Sequence, residues 1–420
     1  MNNNTNILWV VNTIFPDLSK KIGMQMPVSG GWMYDTAKAL STLPHINLSV
    51  ATVHKDSFFN CKIDNISYFL LKSRSKLKFD SSLINQWDEV CNLVKPDLVH
   101  IHGSEYAHGL SLLTNKKKLK YVLSLQGLIS VCSKYYLGGL SKKNIVLNTS
   151  FRDIASFGGI LKDYYKFKSR SKLEIKYFEN IDNIIGRTDW DKAHGLKLNP
   201  NANYFHCEES LRDGFYSAQK WDSSSIDKYS IFLSQANYPL KGAHNVIKAV
   251  SVLVKKYPKI KLFIAGHDLI TFSSRYDKLK IQGYGKILLS LIKKNNLEEN
   301  IHFTGMLSEN EMIKMYQKSN VFICPSSIEN SPNSIGEAQI IGTPVIASNV
   351  GGILNMVSHK HNGLVYRFHD ITLLTNYISL IFDDTKYAKM ISKNSIVDAS
   401  KRHNRSFNIK MLLSIYNSII

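Results

Sequence analysis

Short apolar segments alternate with longer amphipathic ones along the whole chain, and this alternation limits the folds available to it. The segments with the length and composition of buried strands are ILWVVN (7–12), LSVATV (48–53), LVHIH (98–102), YVLSLQG (121–127), NIIGRT (183–188), YSIFLSQ (229–235), IKLFIAG (260–266), IHFTG (301–305), VFICPS (321–326) and PVIAS (344–348). Helix-length stretches at 80–95, 242–257, 285–295 and 309–319 lie between them. Strands that alternate with helices predict parallel sheets built from βαβ units.

The chain length predicts more than one domain. Its 420 residues exceed what a single core ordinarily holds. The least structured polar stretch, AQKWDSSSIDK (218–228), is the candidate linker. We therefore predict an α/β protein with two Rossmann-like, doubly wound domains, 1–217 and 229–398, that face a central cleft. A C-terminal helix, 399–420, is expected to pack back on the first domain. Such sheets bind ligands at the carboxyl ends of their strands.

Composition excludes several classes of protein. With 44% hydrophobic and 20% charged residues, the chain is typical of a folded globular protein rather than a disordered or fibrous one. No apolar run approaches the roughly 18 residues that span a bilayer. The start, MNNNTN before ILWVV, lacks the basic flank and longer apolar stretch of a signal peptide. A cytoplasmic location is therefore expected.

Charge and cysteine usage indicate the kind of partner. The formal net charge of +20 favours an anionic one, which nucleic acid, nucleotide phosphates or an acidic membrane surface would satisfy. Five scattered cysteines without a C-x-x-C pair disfavour both a disulfide framework and a zinc site.

The stretch ENSPNSIGEAQIIGTPVIAS (329–348) joins a strand end to an apolar helix. The first amides of a helix have no intrahelical acceptor and carry a partial positive charge, so an anion can bind there. The backbone N–H groups of Asn333, Ser334 and Ile335 are therefore candidate phosphate ligands.

Two carboxylates flank this helix start. Glu329 precedes it on the loop, and Glu337 lies one turn inside. A sugar, a diphosphate and a ribose, in that order, would satisfy both acids and the amides between them. The alternative is a solvated loop acid and a helix acid favoured only by the macrodipole.

Several motifs around this pattern occur in an order that resembles a known family. The E-x7-E pattern is followed by GTPVIASNVGG (342–352), preceded by SQANYPLKGAH (234–244), LFIAG (262–266) and FTGML (303–307), and succeeded by VSHKHNGLVY (357–366). Together they resemble the family 4 retaining glycosyltransferases of the GT-B fold. The match is dense between about residues 229 and 370 and looser elsewhere.

The resemblance implies roles for individual residues of the second domain. Glu329 would bind hydroxyls of the donor sugar, and Glu337 would bind the ribose. Lys241 would neutralise the leaving diphosphate, a form of electrostatic catalysis. Asn237 would belong to the same donor-phosphate loop.

The contacts to the nucleotide base and the source of a second phosphate-binding cation are less fully specified by the resemblance. The backbone around Met306 and Leu307 would meet the base edge. Many family members carry an arginine five residues before the lysine, but Ala236 stands here. A second cation would have to come from elsewhere, with Arg187 and Arg212 as candidates.

The first domain contributes candidates from separate loops. Gly30 and Gly31 open a helix where the absence of side chains lets a ligand approach the backbone, and the resemblance places them against the diphosphate and sugar. A plain loop-to-helix turn is the alternative. His102 ends a strand beside His100 and is either a ligand of the substrate or an ordinary buried histidine. Gln126 occupies the place where relatives often carry a histidine near the reacting sugar, and it can bond a sugar hydroxyl.

Two further segments, IIGRTDWDKAHG (184–195) and HCEESLRDGFY (206–216), resemble a subgroup that builds bacterial surface polysaccharides. Arg187 is expected to face the acceptor or the phosphates, or else to pair with a neighbouring carboxylate. Glu209 and Arg212, spaced i and i+3, are expected to pair with each other if they have no other role.

A basic stretch, KDYYKFKSRSKLEIKYF (162–178), interleaves cations with aromatic rings. As a helix it would suit an anionic membrane surface, which together with Lys116–Lys118 would explain the charge without nucleic acid. A solvated helix face with core contacts is the alternative.

The sequence and the resemblance together predict an enzyme. It is expected to move a sugar, with retention of configuration, from a nucleotide-diphosphate donor (a UDP-sugar) to a hydroxyl of a glycan or polyprenyl-diphosphate-linked glycan in surface-polysaccharide synthesis. No D-x-D-like motif follows a strand, so neither a metal nor another cofactor is expected. A UDP-sugar epimerase of similar architecture and a basic nucleic-acid-binding protein are the alternatives.

Overall fold

The computed structural model describes residues 4–25, 31–114, 119–155, 158–270, 281 and 283–420. By their internal contacts they form two units. The first unit comprises residues 1–131, 168–212 and 403–420, and the second comprises residues 132–167 and 213–402.

Each unit contains one sheet with mainly parallel strands. The first sheet is formed by β1 (Thr5–Val10), β2 (Ile46–His54), β3 (Phe59–Ile63), β4 (Ile66–Lys72), β5 (Leu98–His102), β6 (Tyr121–Ser124), β7 (Asn183–Gly186) and β8 (Asn203–His206). Its order is β3-β4-β2-β1-β5-β6-β7-β8, with only β3 antiparallel to its neighbour among the strands described. The second sheet is formed by β9 (Asp227–Leu233), β10 (Lys261–Ala265), β11 (Ile301–Gly305), β12 (Ser319–Cys324), β13 (Val345–Ser348) and β14 (Leu364–Tyr366). Its order is β11-β10-β9-β12-β13-β14, all parallel.

Helices connect most of these strands. They are α1 (Pro16–Lys21), α2 (Gly31–Ser41), α3 (Leu83–Val94), α4 (Leu110–Leu113), α5 (Ile129–Cys132), α6 (Lys142–Leu147), α7 (Phe151–Ala155), α8 (Gly159–Phe178), α9 (Asp189–Leu198), α10 (Gly214–Ser217), α11 (Ala243–Leu253), α12 (Gly283–Lys294), α13 (Glu309–Lys318), α14 (Asn333–Ile341), α15 (Ile353–Met356), α16 (Ile371–Asp383), α17 (Thr385–Arg402) and α18 (Arg405–Ile419). The Ser308–Glu311 capping box that starts α13 is present.

The first sheet is buried on both faces, which explains its near-continuous apolar strands. Along β1, Ile7 and Trp9 pack into one core cluster while Leu8 and Val10 pack into another. The terminal helix α18 belongs to the first of these clusters. There the Tyr416 hydroxyl accepts a hydrogen bond from Trp9 Nε1 at 2.9 Å.

The unit boundaries differ from the predicted domain boundaries. Residues 132–167 contact the second unit although the prediction placed them in 1–217. Within that unit, Ser327 Oγ donates to the Tyr135 carbonyl at 2.8 Å, and a His244 ring nitrogen lies 2.9 Å from the Gly138 carbonyl. The candidate linker is also packed, since Trp221 is buried and its Nε1 donates to the Ser319 carbonyl at 2.8 Å. The polar composition of the candidate linker gave no indication that Trp221 would be packed in this way.

The basic stretch 162–178 lies in α8. Tyr177 and Phe178 at its end are buried in the core, whereas Tyr165 and most of the lysines are exposed. Among the described residues, no helix combines the length and apolar character needed to cross a membrane.

Candidate active site

The loop between β12 and α14 places Glu329 against Lys241. The Lys241 ammonium and the Ser326 hydroxyl each donate to Glu329 Oε1 at 2.6 Å. The two charged side chains are only 11% and 14% exposed. The Gly352 amide fixes the acid's backbone by donating to the Glu329 carbonyl at 3.0 Å. The predicted first acid and the predicted phosphate-binding lysine therefore form one ion pair.

The ion pair controls the protonation of Lys241. Burial acts to lower the pKa of the Lys241 ammonium, but the charge and hydrogen bond of Glu329 outweigh it and hold the pKa above its ordinary value. Lys241 is therefore a permanent cation at neutral pH. The following Gly242 has φ +71°, and a Cβ there would overlap the carbonyl oxygen of Pro325. Only glycine permits this close approach of the two loops.

Helix α14 begins at Asn333, as the sequence predicts within one residue. The amides of Asn333 and Ser334 belong to its first turn and have no acceptor within the helix. The Ile335 amide already donates to the Pro332 carbonyl at 3.0 Å. Asn333 and Ser334 are thus better placed than Ile335 to receive an anion.

Glu337 lies deeper than Glu329. Its side chain is on α14 and buried, and the Tyr316 hydroxyl lies 3.4 Å from its Oε2 and 3.2 Å from the Ser334 carbonyl. Tyr316 holds this acid beside the start of the helix. No signal in the sequence indicated Tyr316.

Loops after β9, β10 and β11 add three candidates at the same edge of the sheet. The Asn237 side chain approaches Gly266 so closely that a Cβ on Gly266 would lie 2.9 Å from Asn237 Oδ1. Among the described residues, this buried oxygen has no hydrogen-bond partner. Met306 is exposed and Leu307 half-buried directly after β11. A buried acceptor without a donor is costly, which makes Asn237 a candidate ligand-binding group.

In the first unit, three sequence segments meet at Glu209. Gln126 Nε2 donates to Glu209 Oε1 at 2.7 Å, and the Arg187 guanidinium forms an ion pair with Glu209 Oε2. Arg187 is buried, and it also donates to the Leu125 carbonyl at 2.8 Å while its amide donates to Asp191 Oδ2 at 2.9 Å. Arg187 therefore has the carboxylate partner that the sequence left as an alternative. Glu209 itself was expected to pair with Arg212 and was missed as the hub of this cluster.

His102 is buried in the same unit. Its ring lies 3.8 Å from the His100 ring and 4.3 Å from the Trp9 ring, centroid to centroid. Burial lowers the pKa of His102 to about 3, so the ring is neutral. Neither ring nitrogen has a hydrogen-bond partner among the described residues, and the ring lines a cavity shared with Glu209 and Leu412.

The glycine pair is only partly described. Gly31 begins α2, and a Cβ there would lie 3.1 Å from Arg212 Cγ and Cδ. Gly30 lies outside the described residues, as do Lys116–Lys118. In the part of the chain that the structure describes, no group of three or more His, Cys, Asp or Glu side chains is placed to hold a metal ion.

Residues 217–397 match the family model described as glycosyl transferases group 1. The chain carries a glycosyl transferases group 1 domain. The match covers β9–β14 with Lys241, Glu329 and Glu337, and it confirms the predicted family over this part of the chain.

Curated relatives of this chain are distant. A D-inositol 3-phosphate glycosyltransferase of Corynebacterium urealyticum is 24% identical over 270 residues, 61% of each chain. An N,N'-diacetylbacillosaminyl-diphospho-undecaprenol alpha-1,3-N-acetylgalactosaminyltransferase of Campylobacter jejuni is 26% identical over 120 residues, 29% of this chain and 31% of the relative. The chain thus spans less than two thirds of the length of either relative.

Solved structures match over nearly the whole chain. A sucrose-phosphate synthase from Thermosynechococcus elongatus aligns with a TM-score of 0.73 at 17% identity over 99% of both chains. HepE of Anabaena, solved in complex with UDP-glucose, aligns with a TM-score of 0.65 at 15% identity over 98% of this chain and 99% of that one. At such identities the likeness establishes the fold, and it confirms the predicted GT-B fold.

Proposed function

We propose that this protein is a retaining glycosyltransferase that moves a sugar from a nucleotide-diphosphate donor, a UDP-sugar, to a hydroxyl of a glycan or lipid-linked glycan during surface-polysaccharide synthesis. The observation that carries the proposal is the buried Lys241–Glu329 pair beside the start of α14. It supplies a cation for phosphate and an acid for sugar hydroxyls within 2.6 Å of each other.

Binding of the donor would replace the contact between Lys241 and Glu329 with contacts from each residue to the donor. Its diphosphate would take the Lys241 ammonium and the Asn333 and Ser334 amides, while sugar hydroxyls would donate to Glu329. The bond from the anomeric carbon to the phosphate oxygen breaks as the acceptor oxygen bonds to that carbon, and the acceptor proton passes to the leaving phosphate. Lys241 would stabilise the charge that develops on this phosphate. Retention rests on the family resemblance.

The proposed donor and acceptor classes are supported by the relatives of this chain. The HepE structure holds UDP-glucose, which supports a UDP-sugar donor. The Campylobacter jejuni relative is named for a diphospho-undecaprenol acceptor, which supports a lipid-linked glycan. The acceptor is assigned to the first unit, where Gln126 and His102 are the proposed contacts. Arg187 is proposed as a contact only if substrate displaces Glu209.

The charge on the phosphates is proposed to be neutralised without a metal. Lys241 and the helix start of α14 would do this work, so EDTA should leave transfer unchanged. If transfer is lost in EDTA and regained with a divalent cation, the metal-independent mechanism is wrong.

The test starts with a panel of sugar nucleotides. The true donor should raise the melting temperature, because a ligand that binds only the folded state stabilises it.

Glu329→Gln and Lys241→Ala should abolish transfer while leaving the circular dichroism spectrum unchanged. Near-normal turnover in both variants would refute the site. Conversion of the donor without an acceptor would instead identify an epimerase, and tight nucleic-acid binding with a steep salt dependence would favour a nucleic-acid-binding protein.

We also propose that the protein associates peripherally with the inner face of the cell membrane. On α6 and α7, four apolar side chains are between 61% and 70% exposed: Val146, Leu147, Phe151 and Ile154. Exposed cations lie among them: Lys142, Lys143 and Arg152. Apolar side chains ringed by cations match the chemistry of an anionic lipid surface.

Vesicle flotation tests this association. The protein should float with vesicles of equal parts phosphatidylglycerol and phosphatidylcholine, and salt should weaken the binding. Leu147→Ser/Phe151→Ser should reduce it, whereas Val252→Ser/Leu354→Ser, which changes two other exposed apolar residues, should not. Equal flotation of both double variants would place the contact elsewhere.

A further inference from the structure

A polar groove lies in the first unit, at the carboxyl ends of β1, β2 and β4. His54 at the end of β2 and Lys55 directly after it line the groove, and so do Ser73, Arg74, Ser75 and Lys76 after β4. It shares no lining residue with the cavity around His102. The carboxyl ends of parallel strands are where such sheets bind ligands.

Lys76 is the most enclosed cation of the groove. Its ammonium donates to the Asn12 carbonyl at 2.8 Å and lies 4.7 Å from the centre of the Tyr106 ring. No carboxylate of the described residues lies within ion-pair distance of it. Burial, and then the charge of Arg170, lower the pKa of Lys76. A half-buried ammonium without a counter-charge is unfavourable, so an anion brought to it would be stabilised.

Two exposed cations increase the positive charge of the groove. Neither Arg74 nor Lys55 has an ion-pair partner among the described residues. The acids nearby are already engaged: Asp56 Oδ2 lies 3.2 Å from His54 Nδ1, and Asp80 accepts a hydrogen bond from Ser73 Oγ at 2.7 Å. The groove thus differs from the Lys241 and Arg187 sites, where each cation faces a carboxylate.

We propose that this groove binds an anionic group of the acceptor, either a phosphate or diphosphate ester or the carboxylate of an acidic sugar. The assignment of that anion to an acceptor rests on the proposed glycosyltransferase function, but the binding of an anion does not. Arg74 offers the planar donors that suit either oxyanion, and Lys55 and Lys76 add point charges.

Direct binding of simple anions tests the proposal. The Lys241→Met variant serves as the background, so that pyrophosphate binding at the proposed donor site is weakened. Calorimetric titration with inorganic pyrophosphate, inorganic phosphate and glucuronate then measures each Kd. Shifts of the His54 ring resonances, assigned with His54→Gln, locate the bound anion.

In that background, Lys55→Ala/Arg74→Ala should weaken binding of the preferred anion at least about tenfold, since charge-assisted hydrogen bonds are lost. Lys62→Ala/Lys72→Ala is the matched control: it removes two exposed lysines of β3 and β4 outside the groove, and its Kd should stay within about twofold of the background. Tighter binding of pyrophosphate or phosphate identifies an ester, and tighter binding of glucuronate identifies an acidic sugar.

Equal losses in the two double variants, unshifted His54 resonances, or no binding of any of the three anions would overturn the proposal. These outcomes are independent of the donor site. Failure of every sugar nucleotide to bind wild-type protein would instead refute the proposed function and leave the groove as an anion site.

Discussion

Two buried ion pairs stand at the strand ends of the two units, and they differ in what surrounds them. Lys241 and Glu329 meet near the start of α14, and among the described residues Glu329 is the hydrogen-bond partner of the Lys241 ammonium. Arg187 is bound by Glu209 and also donates to the Leu125 carbonyl. The lysine can exchange its partner for a ligand more easily than the arginine, because the arginine would give up several contacts at once.

A largely buried ion pair therefore does not by itself mark a substrate site. We infer that the Lys241–Glu329 pair is a resting state of the donor site, and that the Arg187–Glu209 pair chiefly holds the loops after β6 and β7 in place.

The largest effect is expected on folding, from Arg187→Met. This change removes the ion pair with the largely enclosed Glu209 Oε2 and the hydrogen bond to Leu125, so the free energy of unfolding should fall by about 3–5 kcal/mol. Urea unfolding followed by tryptophan fluorescence measures the loss. Adding Glu209→Gln should recover part of it, because the buried charge is then gone. A loss below about 1 kcal/mol in the single variant would break the contrast by showing that the pair is dispensable.

The next effect is on catalysis, from Lys241→Met. The kcat should fall by about 10²–10³, which is typical when one group that stabilises transition-state charge is removed. Lys248→Met, which changes an exposed lysine of α11, is the control and should retain activity. The double variant Lys241→Met/Glu329→Gln should regain stability but not turnover. Recovery of turnover in the double variant would show that Lys241 acts only by neutralising Glu329.

The sequence was sufficient for strands β9–β13 of the second unit because their signals are local. Every apolar segment from 229 to 348 became a strand, and the Lys-Gly and E-x7-E motifs each place their residues within one loop or one helix turn. The donor-site candidates could therefore be named before any contact was known. The short edge strand β14 was missed because three residues carry too little periodicity to be recognised.

The first unit was less predictable because its cluster is assembled from distant segments. Gln126, Arg187 and Glu209 lie on three different loops, and no spacing rule connects them. The i, i+3 spacing of Glu209 and Arg212 suggested a helical pair, but the structure describes no helix over these residues, and Glu209 forms an ion pair with Arg187. The hairpin β3–β4 was also missed, because the prediction looked for βαβ units and the antiparallel β3 departs from that pattern.

A smaller difference in stability is expected between alanine variants of two glycines with positive φ. A Cβ at Gly242 would overlap the Pro325 carbonyl oxygen, which is backbone, whereas a Cβ at Gly103 in the first unit would meet the flexible end of the Glu105 side chain. Both alanine variants suffer left-handed strain, but only Gly242→Ala forces two loops apart. We expect it to cost about 1–3 kcal/mol more than Gly103→Ala in urea unfolding. Equal costs would mean that the loops around Lys241 tolerate displacement.

The smallest effect at neutral pH concerns two buried histidines. Burial lowers the pKa of both His102 and His244 to about 3, against an ordinary value of 6.5. The ring nitrogens of His244 lie 3.1 Å from the Tyr284 hydroxyl and 2.9 Å from the Gly138 carbonyl, whereas those of His102 have no partner among the described residues. At pH 7.5, His102→Leu should therefore change the free energy of unfolding by less than about 1 kcal/mol, and His244→Leu should cost more.

The pH dependence of the unfolding free energy reports on the protonation of a buried histidine. Because the folded-state pKa is depressed, the unfolded chain binds the proton first, and stability falls as pH drops from about 6.5 toward 3. The slope for one such group approaches about 1.4 kcal/mol per pH unit. His102→Leu should therefore reduce the slope of unfolding free energy between pH 6 and pH 4.5 relative to wild type. An unchanged slope would mean that His102 takes up a proton in the folded protein, and a group that does so at mild pH in the cavity beside Glu209 would be a candidate acid–base residue rather than a core histidine.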